Sequence, residues 1–136
     1  MSSLIQEVKK ERMFNIMMTV YPLDRFFVPI KQEKQIHLLE NVEESIARRI
    51  VLLGKDSLFG RRSNFSYQET NHKNEKGLTI IDIVPYKNED VIIFKNEHDI
   101  SHQYNFAITF EEMETFIDQL TLVIDQPKMY ENVIFN

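Results

Sequence analysis

The feature that most constrains the fold of this chain is a change of hydrophobic period at Thr109. From His98 to Ile108 every second residue is apolar, aromatic or histidine, and the residues between them are mostly polar. A period of two predicts a strand with one buried face. Beyond Thr109 the apolar residues recur at a helical spacing, and Thr109 with Glu112 forms a capping box. A helix is therefore predicted over about 110–125, with this apolar stripe: Phe110, Met113, Ile117, Leu120 and Ile124.

Four further segments carry strand patterns. Apolar residues alternate with others over residues 14–20, and the turn at Pro22 leads to a second strand predicted over 25–30, so that the two form a hairpin. Residues 78–84 and 91–94 are apolar on both faces, which is typical of central strands. The short spacing between these segments favours antiparallel pairing.

Two more helices are predicted ahead of this β-rich part. Ser3 and Gln6 form a capping-box pattern, which predicts a short N-terminal helix. A longer amphipathic helix is predicted over about 32–53, and Gly54 is well placed to end it. Its apolar residues recur every three or four positions: Ile36, Leu39, Val42, Ile46, Ile50 and Leu53.

The middle of the chain, residues 54–77, shows weak periodicity and is predicted to form a long central loop, within which Phe65 and Tyr67 could form a short strand. A connection of this length inside a compact domain is commonly functional. The order of elements predicts a single α+β domain over residues 1–136. We expect a mainly antiparallel sheet of about five or six strands with the helices packed on one face.

Charge is sorted along the chain. Residues 45–77 contain seven Lys or Arg and three Asp or Glu, whereas residues 78–136 contain three and eleven. A basic centre beside an acidic C-terminal half predicts a surface with two oppositely charged regions, which suits binding a charged partner better than chemistry in a buried site. The pI of about 5.4 is lower than is usual for a protein that binds nucleic acid.

Composition excludes several kinds of site. No cysteine is present, which excludes disulfides, thiolate metal sites and thiol nucleophiles. No apolar run approaches the roughly 18 residues of a membrane span, and the first residues lack the apolar region of a signal peptide. A cytoplasmic protein without a membrane partner is therefore predicted. Few alanines beside frequent isoleucines and asparagines hint at an AT-rich genome, such as that of a bacterium, a phage or another mobile element.

The most tempting catalytic pattern is the pair His98 and His102. With Asp99 they resemble the zinc-protease motif H-E-x-x-H, in which both histidines share one helical face. In a strand, residues four apart lie roughly 13 Å from each other, too far to share one ion. We therefore expect two histidines on one face of a strand and assign no metal, cofactor or catalytic residue. An enzyme that uses these histidines is the third functional alternative.

Two groups of residues are candidates for binding a partner. Cations and aromatic rings are interleaved in the predicted central loop: Phe59, Arg61, Arg62, Tyr67, Lys73 and Lys76. Because cations can meet phosphates and rings can stack on bases, this group would suit single-stranded nucleic acid as well as an anionic protein surface. A carboxylate stripe lies opposite the apolar face of the predicted C-terminal helix: Glu111, Glu114, Asp118 and Asp125.

These observations favour binding over catalysis. We expect a small non-catalytic protein that acts by occupying a macromolecular partner, preferably a protein, as an inhibitor, an immunity protein or an adaptor-chaperone does. The alternative is a nucleic-acid-binding regulator that uses the basic and aromatic residues of 54–77. Homodimerisation is open as well, through the predicted edge hairpin or the apolar tail at 130–135.

Overall fold

The described part of the chain folds into two antiparallel β-sheets and two helices. The computed structural model describes residues 2–8, 13–71, 73–97, 102–125 and 132–135. The α+β class and the antiparallel strands agree with the sequence prediction. The elements follow one another as β1 (Ser2–Val8), β2 (Met13–Val20), β3 (Lys34–Val42), α1 (Glu44–Leu58), β4 (Ser63–Thr70), β5 (Lys76–Tyr86), β6 (Asp90–Glu97), β7 (His102–Thr109), α2 (Phe110–Asp125) and β8 (Asn132–Phe135).

The strands form two sheets of four, and the predicted single sheet of five or six strands is wrong. Sheet 1 has the order β3-β2-β1-β8, and sheet 2 has the order β4-β5-β6-β7. Each strand of sheet 2 pairs with the next strand in the chain, whereas sheet 1 brings β8 beside β1. The predicted number is too low because three strands lie in segments whose local patterns favoured helices or a loop.

The two helices pack against each other and against both sheets. Gly54 lies where the helices approach closely, since a Cβ atom at this position would stand 2.6 Å from Cδ1 of Ile117 and 2.9 Å from Sδ of Met113. The sequence predicted that Gly54 ends the helix, but α1 continues to Leu58. Gly54 therefore provides room for α2 and does not terminate α1.

The N-terminal helix predicted from Ser3 and Gln6 is wrong, because these residues lie in strand β1. β1 pairs with β2 on one side and with β8 on the other, and the buried Ile5 lies opposite Ile16. A strand that is hydrogen-bonded on both sides satisfies its backbone groups, which outweighs a capping pattern of two residues. The predicted apolar tail at 130–135 supplies β8 from residue 132 onward.

The long helix predicted over 32–53 is in fact strand β3 followed by helix α1, and two bulges explain the error. The register pairs three buried positions of each strand: Ile36 with Met18, Leu39 with Ile16 and Val42 with Phe14. The β2 residues are two apart and their β3 partners are three apart, because β3 carries one extra residue at each irregularity. A spacing of three on a bulged strand imitates a helical turn. Asn41, in the second bulge, has a φ of 45°.

Residues 25–30 form a compact loop, so the predicted hairpin of this segment with β2 is wrong. The carboxylate of Asp24 accepts hydrogen bonds from the N–H groups of Phe26 at 2.7 Å and Val28 at 3.1 Å. Between them Phe27 has a positive φ of 61°. An aspartate that accepts hydrogen bonds from the backbone just after it favours a turn over a strand.

Most of residues 54–77 form regular structure, where a long loop was predicted. Helix α1 ends just before Gly60, which has a φ of 77°, and β4 begins at Ser63. Glycine adopts this left-handed conformation without strain, so Gly60 is the helix stop signal. The short strand that the sequence allowed at Phe65 and Tyr67 is part of β4, and both rings are buried.

The segment from β5 to α2 follows the prediction closely. The turn at 87–89 separates β5 from β6, and Phe106 and Ile108 of β7 are buried in the predicted alternation. Helix α2 begins with the predicted capping box. The Glu112 N–H donates to Oγ1 of Thr109, and the Thr109 N–H donates to the Glu112 carboxylate, both at 3.0 Å. Local patterns were sufficient here because the pairing of β5, β6 and β7 has no bulge, so inward and outward residues alternate regularly.

Candidate functional site

Exposed apolar side chains gather on the outer face of sheet 2. On β5 the side chains of Thr79, Ile81 and Ile83 point into the core. The alternate residues point outward, and all except the central Asp82 and the terminal Lys76 are apolar: Leu78, Ile80, Val84 and Tyr86. We refer to this outer face together with residues 22–30 as the aromatic surface.

Residues 22–30 are anchored beside β7. The Leu23 N–H donates to the carbonyl oxygen of Asn105 at 2.9 Å, and an isolated bridge joins Pro22 to Phe106. Leu23 is buried, which fixes the start of the segment. The segment is therefore held against sheet 2, although it forms no regular strand of its own.

Aromatic rings connect residues 22–30 to the outer face of the sheet. The ring of Phe27 has its centroid 6.1 Å from that of Tyr86 and 6.4 Å from that of Phe94. Phe26, at the tip, is 70% exposed, and Val28 is more than half exposed. Apolar exposure of this extent, continuous over a loop and a sheet face, is typical of an interaction surface.

The aromatic surface has few charged groups. Asp82 lies in the row between Ile80 and Val84, and Arg62 reaches it with Nη2 2.6 Å from Oδ2. The hydrogen bond to Asp82 and its charge raise the pKa of the Arg62 guanidinium. The neighbouring outward side chains of β4, β6 and β7 include these neutral polar residues: Asn64, Ser66, Gln68, Asn96, Gln103 and Asn105. The centre of the surface is thus close to electrically neutral.

Cations stand at the rim of the aromatic surface. The Arg25 guanidinium carbon lies 4.8 Å from the centroid of the Phe26 ring, and Nζ of Lys87 lies 5.4 Å from that of Tyr86. Both geometries are those of cation–π contacts. The rings are therefore partly covered by their own neighbours, with their remaining faces open to a partner.

The predicted basic and aromatic group does not form one surface. Arg61 and Arg62 precede β4, and Lys73 and Lys76 follow it, all with exposed side chains. Phe59 is exposed at the end of α1, whereas Tyr67 is buried and donates its hydroxyl proton to Glu69 at 2.7 Å. Burial, followed by the nearby Glu69 carboxylate, raises the pKa of Tyr67, so the phenol stays neutral. Tyr67 therefore lies in the core, and Phe59 is the exposed aromatic residue of the predicted group.

The predicted acidic stripe lies on helix α2 and is exposed. Glu111, Glu114 and Asp118 are open to solvent on this helix. Asp125, at its end, accepts a hydrogen bond from Nη2 of Arg48 at 2.8 Å. Three members of the stripe thus remain available to a partner, while the fourth ties α2 to α1.

Of the two histidines, His98 and His102, the structure describes only the backbone of His102. His98 falls outside the described residues, and the backbone places His102 at the start of β7, opposite Glu97. Within the described part of the chain, no three His, Asp or Glu side chains are arranged to hold a metal ion. In the same part, no helix is long and apolar enough to cross a membrane.

A cluster of charged side chains is buried between the two sheets. Lys95 of β6 is fully buried, and its ammonium group donates to the carbonyl oxygen of His37 on β3 at 2.6 Å. The same Nζ atom lies 3.0 Å from Oε1 of Glu69 and 3.2 Å from Oε1 of Glu97. One cation thus joins sheet 1 to two carboxylates of sheet 2. We refer to Lys95, Glu69 and Glu97 as the buried ion cluster.

Hydrogen bonds occupy the other carboxylate oxygens of the buried ion cluster. Oε2 of Glu69 accepts from the Tyr67 hydroxyl at 2.7 Å and from the Glu40 N–H at 3.3 Å. Oε2 of Glu97 accepts from Nδ2 of Asn71 at 3.1 Å. Ionised groups are buried at an acceptable free energy only when they are paired and hydrogen-bonded in this way. The cluster therefore has a structural role, fastening one sheet to the other.

Neither the aromatic surface nor the buried ion cluster was predicted from the sequence. The cluster had a signal, because Lys95 and Glu97 share the face of β6 that also carries Val91 and Ile93. Two charges at inward positions of a strand indicate a buried pair. No sequence signal indicated the aromatic surface, since it depends on residues 22–30 lying against strands more than fifty positions away in the sequence.

Comparisons with known proteins add little to this geometry. No protein-family model matches the sequence, and no similar sequence is found among curated proteins. A solved structure described as that of the plant transcriptional regulator PBF-2 is similar with a TM-score of 0.46 and 10% sequence identity. The match covers 90% of this chain and 75% of that chain. A TM-score of this size carries no functional information.

Proposed function

We propose that this chain is a non-catalytic binding protein that occupies a protein partner through the aromatic surface. The observation that carries the proposal is the continuous exposure of apolar and aromatic side chains over residues 22–30 and the outer face of sheet 2. A folded protein rarely leaves such a patch open without a partner for it. Inhibitors, immunity proteins and adaptor-chaperones act in this way, by covering a partner surface.

The composition of the aromatic surface supports a protein as the partner. The centres of protein interfaces are depleted in charged groups and enriched in aromatic residues, and their rims are polar. Here Tyr86 and Phe27 lie in contact within the surface, while Arg25 and Lys87 stand at its rim. Neutral amide and hydroxyl side chains on the flanking strands can hydrogen-bond to a partner.

Nucleic acid fits the same surface less well. A phosphate backbone requires a track of cations beside the stacked bases. In the middle of this surface the charged group is Asp82, and the guanidinium of Arg62 is already engaged by it. A bound phosphate would meet a carboxylate there, so the charge pattern favours a protein.

The surface is organised before a partner arrives. Asp24 holds residues 22–30 in shape through two backbone hydrogen bonds, and Leu23 anchors the segment to β7. A loop that is already ordered loses little conformational entropy on binding. We therefore expect Phe26 and Phe27 to act as preformed anchors.

The test compares two variants with the same substitution at exposed leucine or isoleucine positions. Ile80→Glu places a charge in the middle of the aromatic surface, and Leu52→Glu places one on the exposed side of α1. Partners are captured from a lysate of the source organism by each variant and by the wild-type protein, and are quantified by mass spectrometry. Both variants are first shown to unfold at temperatures close to that of the wild type.

The proposal predicts one stoichiometric protein that wild type and Leu52→Glu retain and that Ile80→Glu loses by about tenfold or more, as disruption of an interface hot spot does. Equal retention by all three proteins would place the contact elsewhere. Capture that disappears on nuclease treatment would favour the nucleic-acid alternative.

A further inference from the structure

The two edges of sheet 2 differ in how they are covered. The β7 edge is bordered by residues 22 and 23, which bond to it through the Leu23 N–H and the bridge from Pro22 to Phe106. β4 is the other edge strand and pairs with β5 alone. Within the described residues no backbone hydrogen bond reaches β4 from its other side. About half of the N–H and C=O groups of β4 point away from β5. These groups can therefore bond to a further strand.

Strand β4 also lacks the features that usually protect an edge. Its sequence, from Ser63 to Thr70, contains no proline and no lysine. Its one charged residue, Glu69, is buried in the ion cluster. Natural proteins guard open edges with prolines, outward charges or bulges, because unguarded edges pair with other chains. An unguarded edge of eight residues indicates a strand-addition site.

Open space borders the C-terminal half of this edge. A pocket of about 400 Å³ is lined by Gln68, Glu69 and Thr70 of β4, by Glu40 and Asn41 of β3, and at its end by Lys76 of β5. Consecutive strand residues point to opposite faces, so a pocket that touches three in a row runs along the strand edge. An extended chain therefore has room to lie beside β4.

Cations flank both ends of the β4 edge. Arg61 stands before the strand, next to Arg62, which is held by Asp82, and Lys73 and Lys76 stand after it. Eight strand residues at about 3.3 Å each place the two ends roughly 26 Å apart. The Arg49 guanidinium carbon also lies 5.1 Å from the centroid of the Phe65 ring, near the middle of the strand. Part of the charge excess of residues 45–77 therefore lies at the two ends of β4.

The geometry points to strand addition: the β4 edge accepts an extended segment of a partner protein whose acidic residues meet the cations at the two ends. Backbone hydrogen bonds supply the affinity in this mode of recognition, and flanking side chains supply the specificity. The aromatic rings of β4 itself, Phe65 and Tyr67, are buried, so bases have no stacking partner along the strand. This site adjoins the aromatic surface along β4, but it uses the backbone groups of the strand edge and not the apolar side chains of β5.

Labelled octapeptides test the inference by fluorescence anisotropy. Each has alternating Thr and Val in the middle, and the ends carry two Glu, two Gln or two Lys residues. An oligothymidylate of eight nucleotides is the nucleic-acid probe. Arg61→Glu with Lys76→Glu reverses a cation at each end of β4, and Lys31→Glu with Lys34→Glu is the control of equal charge change on exposed residues elsewhere.

We expect the Glu-ended peptide to bind at least tenfold more tightly than the Lys-ended one, and the Arg61→Glu, Lys76→Glu protein to lose that binding while the control keeps it. Hydrogen exchange should slow at residues 63–70 on peptide addition and remain unchanged at 102–109. No binding by any peptide at millimolar concentration, equal binding by the two variants, or preference for the oligonucleotide would each overturn the inference. Partner capture by the Ile80→Glu variant is read separately, so failure of one site is distinguishable from failure of the other.

Discussion

Two parts of the interior are built in opposite ways. Between the helices the buried contacts are apolar, and α2 buries six residues against α1 and the sheets: Met113, Phe116, Ile117, Leu120, Val123 and Ile124. Between β3, β4 and β6 the interior holds the buried ion cluster instead, with a fully buried lysine and two buried glutamates. The same small domain thus uses non-directional and directional interactions side by side.

The helix region and the buried ion cluster should differ in how much free energy of unfolding is lost when one side chain is removed. Truncation of an apolar side chain in the helix region removes its own share of the free energy of unfolding and leaves neighbours that can shift. Loss of one charge from the ion cluster leaves opposite charges buried without a partner, which is more unfavourable than the pair was favourable. The ion cluster should therefore behave as a unit, and the helix region as a sum of parts.

Lys95→Met is expected to have the largest effect. The substitution keeps most of the side-chain volume and leaves Glu69 and Glu97 without their cation, so the free energy of unfolding should fall by about 3–5 kcal/mol. Urea denaturation followed by circular dichroism measures it. In the triple variant with Glu69→Gln and Glu97→Gln much of the loss should be regained. Additive losses from the three substitutions would show that the cluster is not a unit.

Leu120→Ala is the corresponding deletion in the helix region. Leu120 is fully buried in α2, and its truncation should lower the free energy of unfolding by about 3 kcal/mol through reduced burial and an incompletely filled cavity. The same denaturation experiment applies. Combined with Lys95→Met the two losses should add, and a strongly non-additive result would mean that the two parts of the interior are coupled.

Gly54→Leu tests the close approach of the helices. The new side chain would collide with Ile117 and Met113, so overpacking should lower the free energy of unfolding by about 1–3 kcal/mol. Thermal unfolding measures it. Adding Ile117→Ala opens space and should restore part of the loss. If the double variant lost as much free energy of unfolding as the two single variants together, or more, the collision would lie elsewhere.

Thr109→Ala removes one half of the capping box of α2. The Glu112 N–H would lose its hydrogen bond to the threonine hydroxyl, and the free energy of unfolding should fall by about 1 kcal/mol. Thr115→Ala, on the same helix beyond the first turn, is the matched control and should have a smaller effect. Equal effects of the two substitutions would argue against a capping contribution.

The smallest expected effect is the pH dependence contributed by Glu112. Burial alone would raise the pKa of Glu112, but hydrogen bonds, that from the Thr109 N–H first among them, outweigh burial and lower the pKa. Stabilisation by this carboxylate is therefore present above its unfolded-state pKa and is lost as the pH falls through the lower folded-state pKa. Glu112→Gln should flatten the acid side of the stability profile slightly, by less than about 1 kcal/mol. An unchanged profile would contradict this account.

The contrast between local and distant interactions also explains what could be predicted from the sequence. The apolar stripe of α2, its capping box and the alternation of β7 are local patterns, and the structure confirms them. β3 was predicted to be helical because its two bulges turn a period of two into a spacing of three. β1 was predicted to be helical because Ser3 and Gln6 match a capping box, and its second pairing partner, β8, lies at the far end of the sequence, where no local pattern can indicate it.

The candidate sites were predictable only in part. The cations Arg61, Arg62, Lys73 and Lys76 were identified by type, but their arrangement at the two ends of one strand requires knowing that the segment between them is β4. Phe26 and Phe27 were assigned to a strand, so their exposure in a loop against sheet 2 was not foreseen. Position along the chain reveals what a residue can do, whereas the tertiary fold decides what it faces.

The buried ion cluster has a consequence for how sequences related to this one can diverge. A single substitution in the buried ion cluster leaves a buried charge without its partner. Mutational paths that replace Lys95, Glu69 or Glu97 therefore pass through an unstable intermediate. In relatives of this chain these three positions should covary, either keeping all the charges or replacing them together with apolar or neutral residues. The stripe of α2 can drift one residue at a time. We therefore expect the buried ion cluster to be conserved among more distant relatives than the aromatic surface, whose residues can change together with those of its partner.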